Sequence, residues 1–320
     1  MTVSDFPAPD TVRAAMLLAA RAPSVHNSQP WRWTARADGL DLFADPDMHL
    51  RRVDPDGRDL ILSCGASLHH GATAFAALGW QPKIHRLPDP HNPNHLAALS
   101  FAPHQPSDLD LTLAAAIPHR RTDRRYYGSR PVSPADVALM GARAARVGVT
   151  LRRVESVEHL NELVGEAAAR HTRDPEYLHE LTTWSGRYGS LAGVPARNTP
   201  ARDASAHVPG RLFAGTALAQ PPDATSAADN GIVLALGTRD DDRLARLRAG
   251  EATSLVLLTA TSLGMATCPV TEPLEIDDTR SALRADIFES TAHPQMLLRI
   301  GWAPAGADPL PATPRRPLSW

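Results

Sequence analysis

Arg21-Ala22-Pro23-Ser24-Val25-His26-Asn27-Ser28-Gln29-Pro30-Trp31 is the stretch on which the reading of this chain turns. Pro23 and Pro30 keep its backbone out of a helix, because proline fixes φ, lacks an N–H and pushes the residue before it towards extended conformations. Between them, Ser24, His26, Asn27 and Gln29 offer hydroxyl, imidazole and carboxamide groups. Such a set can hydrogen bond one planar, heteroatom-rich ligand. The alternative from composition alone is a polar turn whose Asn and Ser satisfy their own backbone.

Upstream, Asp10 reads as the cap of a helix reaching about Arg21, with Leu17 and Leu18 on its buried side. Downstream, Trp31-Arg32-Trp33 and Leu40-Asp41-Leu42-Phe43 alternate like strands around a turn at Asp38-Gly39. Residues 57–78 read as a long helix, apolar over most of its girth at Leu60, Ile61, Leu68, Phe75 and Leu78, and therefore central. Residues 84–87 and 96–101 read as strands. After Pro118 comes the densest positive charge in the chain, His119-Arg120-Arg121-Thr122-Asp123-Arg124-Arg125-Tyr126-Tyr127. Ser133-Pro134-Ala135-Asp136 then starts a helix, with serine at the cap, proline in the first turn and an acid near the N-terminal dipole.

Residues 149–154 read as a strand and 157–170 as a helix. From 171 to 230 the pattern loosens, with breakers at Gly189-Ser190-Leu191-Ala192-Gly193-Val194-Pro195 and Gln220-Pro221-Pro222-Asp223. A segment this long without regular structure is a lid, an arm or disorder. Order returns with a buried strand at 231–237, a helix at 241–263 that is either continuous or broken at Gly250, and strands at 266–270 and 295–302.

A chain of 320 residues can bury a large core as one large or two small domains. Its 43% hydrophobic and 21% charged content is that of an ordinary globular protein. A net charge of −2 makes no overall case for nucleic acid or an acidic membrane surface. Cys64 and Cys268 are too few for a disulfide scaffold or a zinc cluster, so a reducing cytoplasm is expected. The start Met1-Thr2-Val3-Ser4-Asp5 shows no signal peptide, and no window is long and apolar enough to span a bilayer.

Two helical stretches resemble each other. Cys64-Gly65-Ala66-Ser67-Leu68 runs on to Leu78-Gly79-Trp80, and Ala249-Gly250-Glu251-Ala252-Thr253 runs on to Leu263-Gly264-Met265. Each keeps an early glycine, which allows close helix packing, an Ala-rich body, and Leu-Gly at the end. The repeat implies two similar halves imitating a two-fold dimer, the long helices packed at its centre. Only the first half carries the Pro-Ser-Val-His-Asn stretch and only the second the arginine run, so one composite site is expected.

Arg120, Arg121, Thr122 and Arg124 form a phosphate-binding set, since guanidinium forks bind phosphate oxygens in pairs and a threonine hydroxyl adds a donor. Arg315 and Arg316 in the tail can close over the same phosphate. A solvated basic loop is the competing reading. His69 and His70 are adjacent and expected to face different sides of a helix, a poor metal pair, and no metal site is expected. No Gly-x-Gly-x-x-Gly, Walker loop or nucleophile elbow is present.

The Pro23–Trp31 stretch resembles the Pro-Ser-x-x-Asn-x-Gln-Pro-Trp signature of the nitroreductase superfamily of FMN enzymes. Arg120 to Tyr126 resembles that family's Arg-x-Ser/Thr-x-Arg/Lys-x-aromatic phosphate motif. The helix from Gly250, the Gly264-Met265-Ala266-Thr267-Cys268-Pro269 exit, and the closing strand with Pro314-Arg315-Arg316-Pro317 are similar to the family's late helix, exit and basic tail. The duplicated layout, with Cys64-Gly65-Ala66 and Trp184 before Gly193-Val194-Pro195, is most similar to the actinobacterial Acg branch. The resemblance covers about residues 10–317.

It implies an α+β nitroreductase-like fold of two fused pseudo-symmetric halves, 1–117 and 118–320, each with a central long helix and an antiparallel-rich sheet, and a lid-like insertion at about 171–230. It implies one FMN. Its phosphate would sit on Arg120, Arg121, Thr122 and Arg124 with Arg315 or Arg316, and its ring would meet Ser24, His26, Asn27 and Gln29, with Pro269, Val270 and Thr271 near N5. The flavin carries the chemistry, so no catalytic side chain is expected. NAD(P)H would reduce the flavin, and a nitroaromatic or quinone acceptor would reoxidise it. A flavin-sequestering or stress-response role with little reductase activity stays open. The chain is expected to act as a monomeric pseudo-dimer or a homodimer. It departs from ordinary members in carrying the arginine motif about a hundred residues after the Pro-Ser stretch, and in reading Val270-Thr271-Glu272-Pro273 where they place an acid-glycine pair.

Overall fold

One connection rule is used twice along the chain. A computed structural model describes residues 6–186 and 190–317. From the N-terminus, α1 (Pro9–Ala19) leads to β1 (Trp31–Ala35) and β2 (Leu40–Ala44), α2 (Arg58–Ala77) leads to β3 (Trp80–Arg86) and β4 (His95–Pro103), and α3 (Asp108–Ala116) follows. Then α4 (Pro134–Ala145) leads to β5 (Thr150–Arg153). After α5 (Val157–His171) and α6 (Pro175–Trp184) come β6 (Ile232–Thr238), α7 (Arg243–Ser262), β7 (Ala266–Val270), α8 (Asp277–Phe288) and β8 (His293–Gly301).

The two sheets have the same strand order, β1-β2-β4-β3 and β5-β6-β8-β7, and every neighbouring pair is antiparallel. In each, a long helix joins the second strand to the third. The second strand also bulges against the fourth in both sheets, between Leu42 and Phe43 and between Leu236 and Gly237. β1 buries Trp31 and Trp33 and exposes Arg32, as a sheet with one covered face requires. β6 is buried at all its positions, which explains its unbroken apolar run.

α2 and α7, each 20 residues long, pack against each other at the centre. Gly65 and Gly250 face each other at the crossing. A Cβ on Gly65 would lie 2.1 Å from the Leu247 carbonyl oxygen, and one on Gly250 would lie 2.0 Å from that of Leu62. α7 is continuous through Gly250, because this glycine serves the close approach of two backbones rather than a break.

Several local expectations are corrected. α1 is capped by Ala8, with Pro9 at its first position and Asp10 in its first turn. Its buried face is Val12, Ala15, Met16 and Ala19, while Leu17 is exposed, because the stripe against the core is set by the approach of α2. Leu78 is exposed beyond the end of α2. The loosened 171–230 region contains α6, started by Asp174, whose side chain accepts from the Glu176 and Tyr177 N–H groups. Within its breaker-rich run, Gly189 lies outside the described residues. Among the described residues no helix is long and apolar enough to cross a membrane.

Candidate functional site

The Pro23–Pro30 stretch folds as a single 3-10 turn, Val25–Asn27, on a strained backbone. His26, Asn27 and Gln29 all take left-handed φ values, 44°, 55° and 54°. Such positions cost of the order of 1–3 kcal/mol each and persist only where the surroundings impose them. Here Ser24 Oγ accepts from the Gln29 N–H at 2.9 Å, and Ser63 Oγ on α2 accepts from the Val25 N–H at 3.1 Å. The Asn27 amide donates to the Gly193 and Pro314 carbonyls at 3.0 and 3.1 Å and accepts from Arg315 at 2.9 Å. The Gln29 amide donates to the Leu191 carbonyl and accepts from the Arg316 N–H. The two carboxamides therefore spend these bonds tying the turn to the 190s segment and the tail.

The arginine run lies beside the β7 edge of the second sheet. Thr122 forms a bridge with Thr267, and the Asp123 N–H donates to the Thr267 carbonyl at 2.8 Å. Extended backbone sends alternate side chains to opposite sides. Arg120, Thr122 and Arg124 point together into one cavity, while Arg121 turns back to the Pro118 carbonyl. Asp123, on the other side, is held by Arg125 in two bonds of 3.0 and 2.9 Å, so it does not balance Arg120.

This cavity, of about 170 Å³, lies between the halves. That is an order of magnitude beyond the ~10–15 Å³ one water needs. Of the residues singled out from the sequence, Ser24, His26, Asn27, Arg120, Thr122, Arg124, Pro269, Val270, Thr271 and Arg315 line it; Gln29, Arg121 and Arg316 are not among the lining residues. Arg316 instead pairs with Asp45. Leu62 and Ala66 of α2, Val270, Met296 and Phe213 supply apolar wall.

One end of the cavity is a nest of cations. Arg120 is 6% exposed, and its Nε and Nη1 have no hydrogen-bond partner. Burial pushes its pKa down to about 9, helped by Arg315, Arg121, Arg21 and Arg124. The charges that weigh most on Arg120 are all arginines, so burial leaves its own charge without a balancing one among them. Arg315 is differently employed. Its guanidinium donates to the Ala20, Arg21 and Ala22 carbonyls at the end of α1, fastening the tail there.

The sequence suggests a lid at about 171–230 but assigns none of its residues to the site, nor Asp59. Residues 200–203, 206 and 208–211 line the cavity together with Phe213, whose ring takes the Arg124 guanidinium at 4.9 Å and lies 5.9 Å from the His26 imidazole. Arg211 fastens this segment by two bonds to Glu275, at 2.8 and 2.9 Å, and one to the Tyr177 hydroxyl at 2.6 Å. Tyr126 donates to Asp203 at 2.5 Å. His26 is buried with both ring nitrogens unpartnered, and burial, then Arg211, Arg124 and His171, hold its pKa well below the usual value. Asp59 is buried in the wall. Arg58 Nη2 lies 2.6 Å from one of its oxygens, but off hydrogen-bond alignment, so neither oxygen is hydrogen bonded. Burial raises its pKa to about 7 against the pull of Arg58.

His69 and His70 correct another expectation. Successive helical side chains point about 100° apart, yet both Nδ1 atoms come within 2.7 Å of Ser254 Oγ, because α7 presents this hydroxyl at the seam between them. Among the described residues no three His, Cys, Asp or Glu side chains gather as metal ligands.

Arg211→Ala leaves Glu275 and the Tyr177 hydroxyl buried without their cation, an effect of about 3–5 kcal/mol. It falls on the roof rather than on the sheets. Chymotrypsin should then cut after Phe213 at least about a hundredfold faster, with the far-ultraviolet circular dichroism unchanged. Equal cutting rates would show that the roof is held some other way.

A chain 60% identical over 314 residues to a nitroreductase-named protein, with nearly complete mutual coverage, belongs to the NAD(P)H nitroreductase family. That relative is the Mycobacterium tuberculosis protein named "Putative NAD(P)H nitroreductase Rv3131", of which the match covers 91%, against 98% of this chain. The M. tuberculosis protein named "Putative NAD(P)H nitroreductase acg" is 37% identical over 319 residues, covering 97% of this chain and 94% of its own. Among solved structures, a nitroreductase with bound FMN from Bacteroides fragilis aligns with a TM-score of 0.40 at 14% identity, over 61% of this chain and 90% of that one. No protein-family model matches the chain.

Proposed function

We propose that the cavity holds FMN and that the protein is an NAD(P)H-dependent oxidoreductase acting on nitroaromatic or quinone-type acceptors. The observation that carries this reading is Arg120, a buried guanidinium with two unpartnered nitrogens. Arg120, Thr122 and Arg124 would hold the phosphate, and the apolar wall of Leu62, Ala66 and Val270 would take the ring. Bound there, FMN supplies reversible hydride acceptance and donation. The protein's own work is to orient and seal. Asn27 and Gln29 hold the strained turn, so that Ser24 and His26 stand in the wall. Phe213 and the Arg211-fastened roof exclude water. His26, kept neutral by burial, offers one N–H and one lone pair.

In this reading the chain is a pair of like halves dividing near residue 117, with 171–230 as the lid, working in the cytoplasm as a monomeric pseudo-dimer or a homodimer. A second reading is favoured by the roof: with Arg211 and Tyr126 both fastened, the protein sequesters flavin rather than turning it over. Mixing the yellow protein with NADPH or NADH under anaerobic conditions separates the two. Bleaching at 450 nm within seconds, on the order of ordinary turnover, supports the reductase. Persistent colour supports sequestration. A colourless protein that takes up no added FMN overturns both.

A further inference from the structure

The tail, residues 308–317, runs from the second half back to the first without joining either sheet. Pro309, Pro311, Pro314 and Pro317 lack N–H groups and favour an extended backbone. Among the described residues no backbone–backbone hydrogen bond fastens this tail. Side chains hold it instead. Arg125 donates to the Asp308 carbonyl at 3.0 Å, and Asn198, just before the roof, donates to that of Pro311 at 2.8 Å.

The Asn27–Gln29 turn then works as a buckle, because each of its carboxamides bonds two segments at once. Asn27 bonds Gly193 on one side and Pro314 and Arg315 on the other, and Gln29 bonds Leu191 and Arg316. A planar amide must keep one orientation to serve both, so releasing the tail frees it to turn away from the 190s. From there the line continues to the roof. The Val194 N–H donates to the Trp184 carbonyl at 2.8 Å, and Ser185 Oγ accepts from the Ala214 N–H at 3.0 Å, beside Phe213.

The tail also carries a charge into the cation nest. Arg315 spends its N–H groups on Asn27 and on carbonyls of the α1 end and of the tail itself. Its charge still weighs on Arg120 more than any other does, and Arg21 and Arg121 weigh on Arg315 in turn. Seating the tail therefore sets a buried cation among arginines, and an anion beside Arg120 relieves that repulsion.

We propose that residues 308–317 are a strap that holds the roof shut through the Asn27–Gln29 buckle, and that an anion beside Arg120 tightens it. The second clause rests on the reading of that end of the cavity as the place of a phosphate; the first does not. By linkage, seating the tail raises anion affinity, and a bound anion favours the seated tail by the same factor.

Chymotryptic digestion of the purified full-length protein, read by mass spectrometry, tests the strap. Arg315→Met lies outside the roof and fills a similar volume, yet cutting after Phe213 should rise about tenfold, within the usual range of coupling between sites. Arg316→Met removes the tail's hold on the Gln29 carbonyl and Asp45. It should raise the same cut about threefold, which keeps the strap testable if Arg315→Met does not fold. Cutting after Phe288, buried in α8, should stay within about twofold. An equal rise there shows that the variants only weaken the fold, and an unchanged cut after Phe213 shows that the tail does not hold the roof. Either result overturns the strap.

In flavin-free protein, inorganic phosphate should slow the cut after Phe213 about fivefold relative to sodium chloride of equal ionic strength, and Arg315→Met should abolish the slowing. Equal cutting in the two salts overturns the anion's part. The flavin absorbance of the protein as purified separates this from the underlying reading. Yellow protein in which Arg315→Met changes no cut overturns the strap alone. Colourless protein that takes up no FMN yet shows both responses supports the strap and overturns the flavin reading.

Discussion

Replacing Arg120 and Arg124 together with methionine should lower FMN affinity about a thousandfold, while Arg120→Met alone should leave the ligand-free protein no less stable than wild type. The two halves of this expectation come from one feature. Charge-assisted hydrogen bonds to a phosphate contribute about 1.5–3 kcal/mol each, and two are removed. The guanidinium of Arg120 is buried with two unpartnered nitrogens, and the charges that weigh most on it are other arginines. Replacing such a group with an apolar side chain of similar volume is often neutral or stabilising. Arg121→Met is the control. Its side chain bonds the Pro118 and Arg120 carbonyls instead of lining the cavity, so affinity should change by no more than about threefold. Flavin fluorescence titration reads the affinity, and calorimetry of the flavin-free protein reads the stability. Unchanged affinity in the double variant would remove the anion site. A large fall in the ligand-free stability of Arg120→Met would show that Arg120 is partnered.

The contrast between Arg120 and Arg121 also shows what the sequence made legible. The run of arginines was visible as a local cluster of charge, but which of them turn into the cavity depends on its backbone being extended along β7, and that pairing is non-local. The matching strand–helix–strand repeats were visible because periodicity and glycine placement are local patterns. The two stretches, each in one half, were read as sharing a site, and residues of both line one cavity. Other features left weaker traces. Ser107 and Asp110 form a capping box at the start of α3, a signal present in the sequence and not read there. α8 begins after Ile276 with no capping side chain, and its one local start signal is the pair Asp277 and Asp278 in its first turn. Asp59 in the first turn of α2 looks like an ordinary complement to a helix dipole. Nothing local says that it faces a cavity, or that Arg211, 152 positions later in number, will be its neighbour. Asn27 and Gln29 show the reverse error. Their hydrogen-bonding capacity was plain, but its use is set by where the chain's tail returns, and the tail claims much of it.

The other large effect is expected at the crossing of the central helices. Gly65→Ala and Gly250→Ala each place a methyl group about 2 Å from a carbonyl oxygen of the opposite helix. Both obstructions are backbone, so no rotamer change relieves them, and α2 and α7 must move apart. That separation loosens Leu62 from Ala249 and Ala252, with which it shares a core cluster. It also displaces the cavity wall on both sides, since Leu62, Ser63 and Ala66 stand on α2 and Thr253 on α7. Each substitution should therefore cost more than about 3 kcal/mol, the upper range for overpacking a well-filled core, and weaken flavin retention with it. Alanine is otherwise the better helix former by about 1 kcal/mol, so propensity alone predicts the opposite sign. Gly165 in α5 isolates that term, because a Cβ there meets nothing within 4 Å, and Gly165→Ala should raise stability by about 0.5–1 kcal/mol. Urea unfolding of the three variants decides between the two accounts. If Gly65→Ala and Gly165→Ala shift the midpoint in the same direction, the helices do not touch through their backbones, and the two sheets are not held around a shared centre.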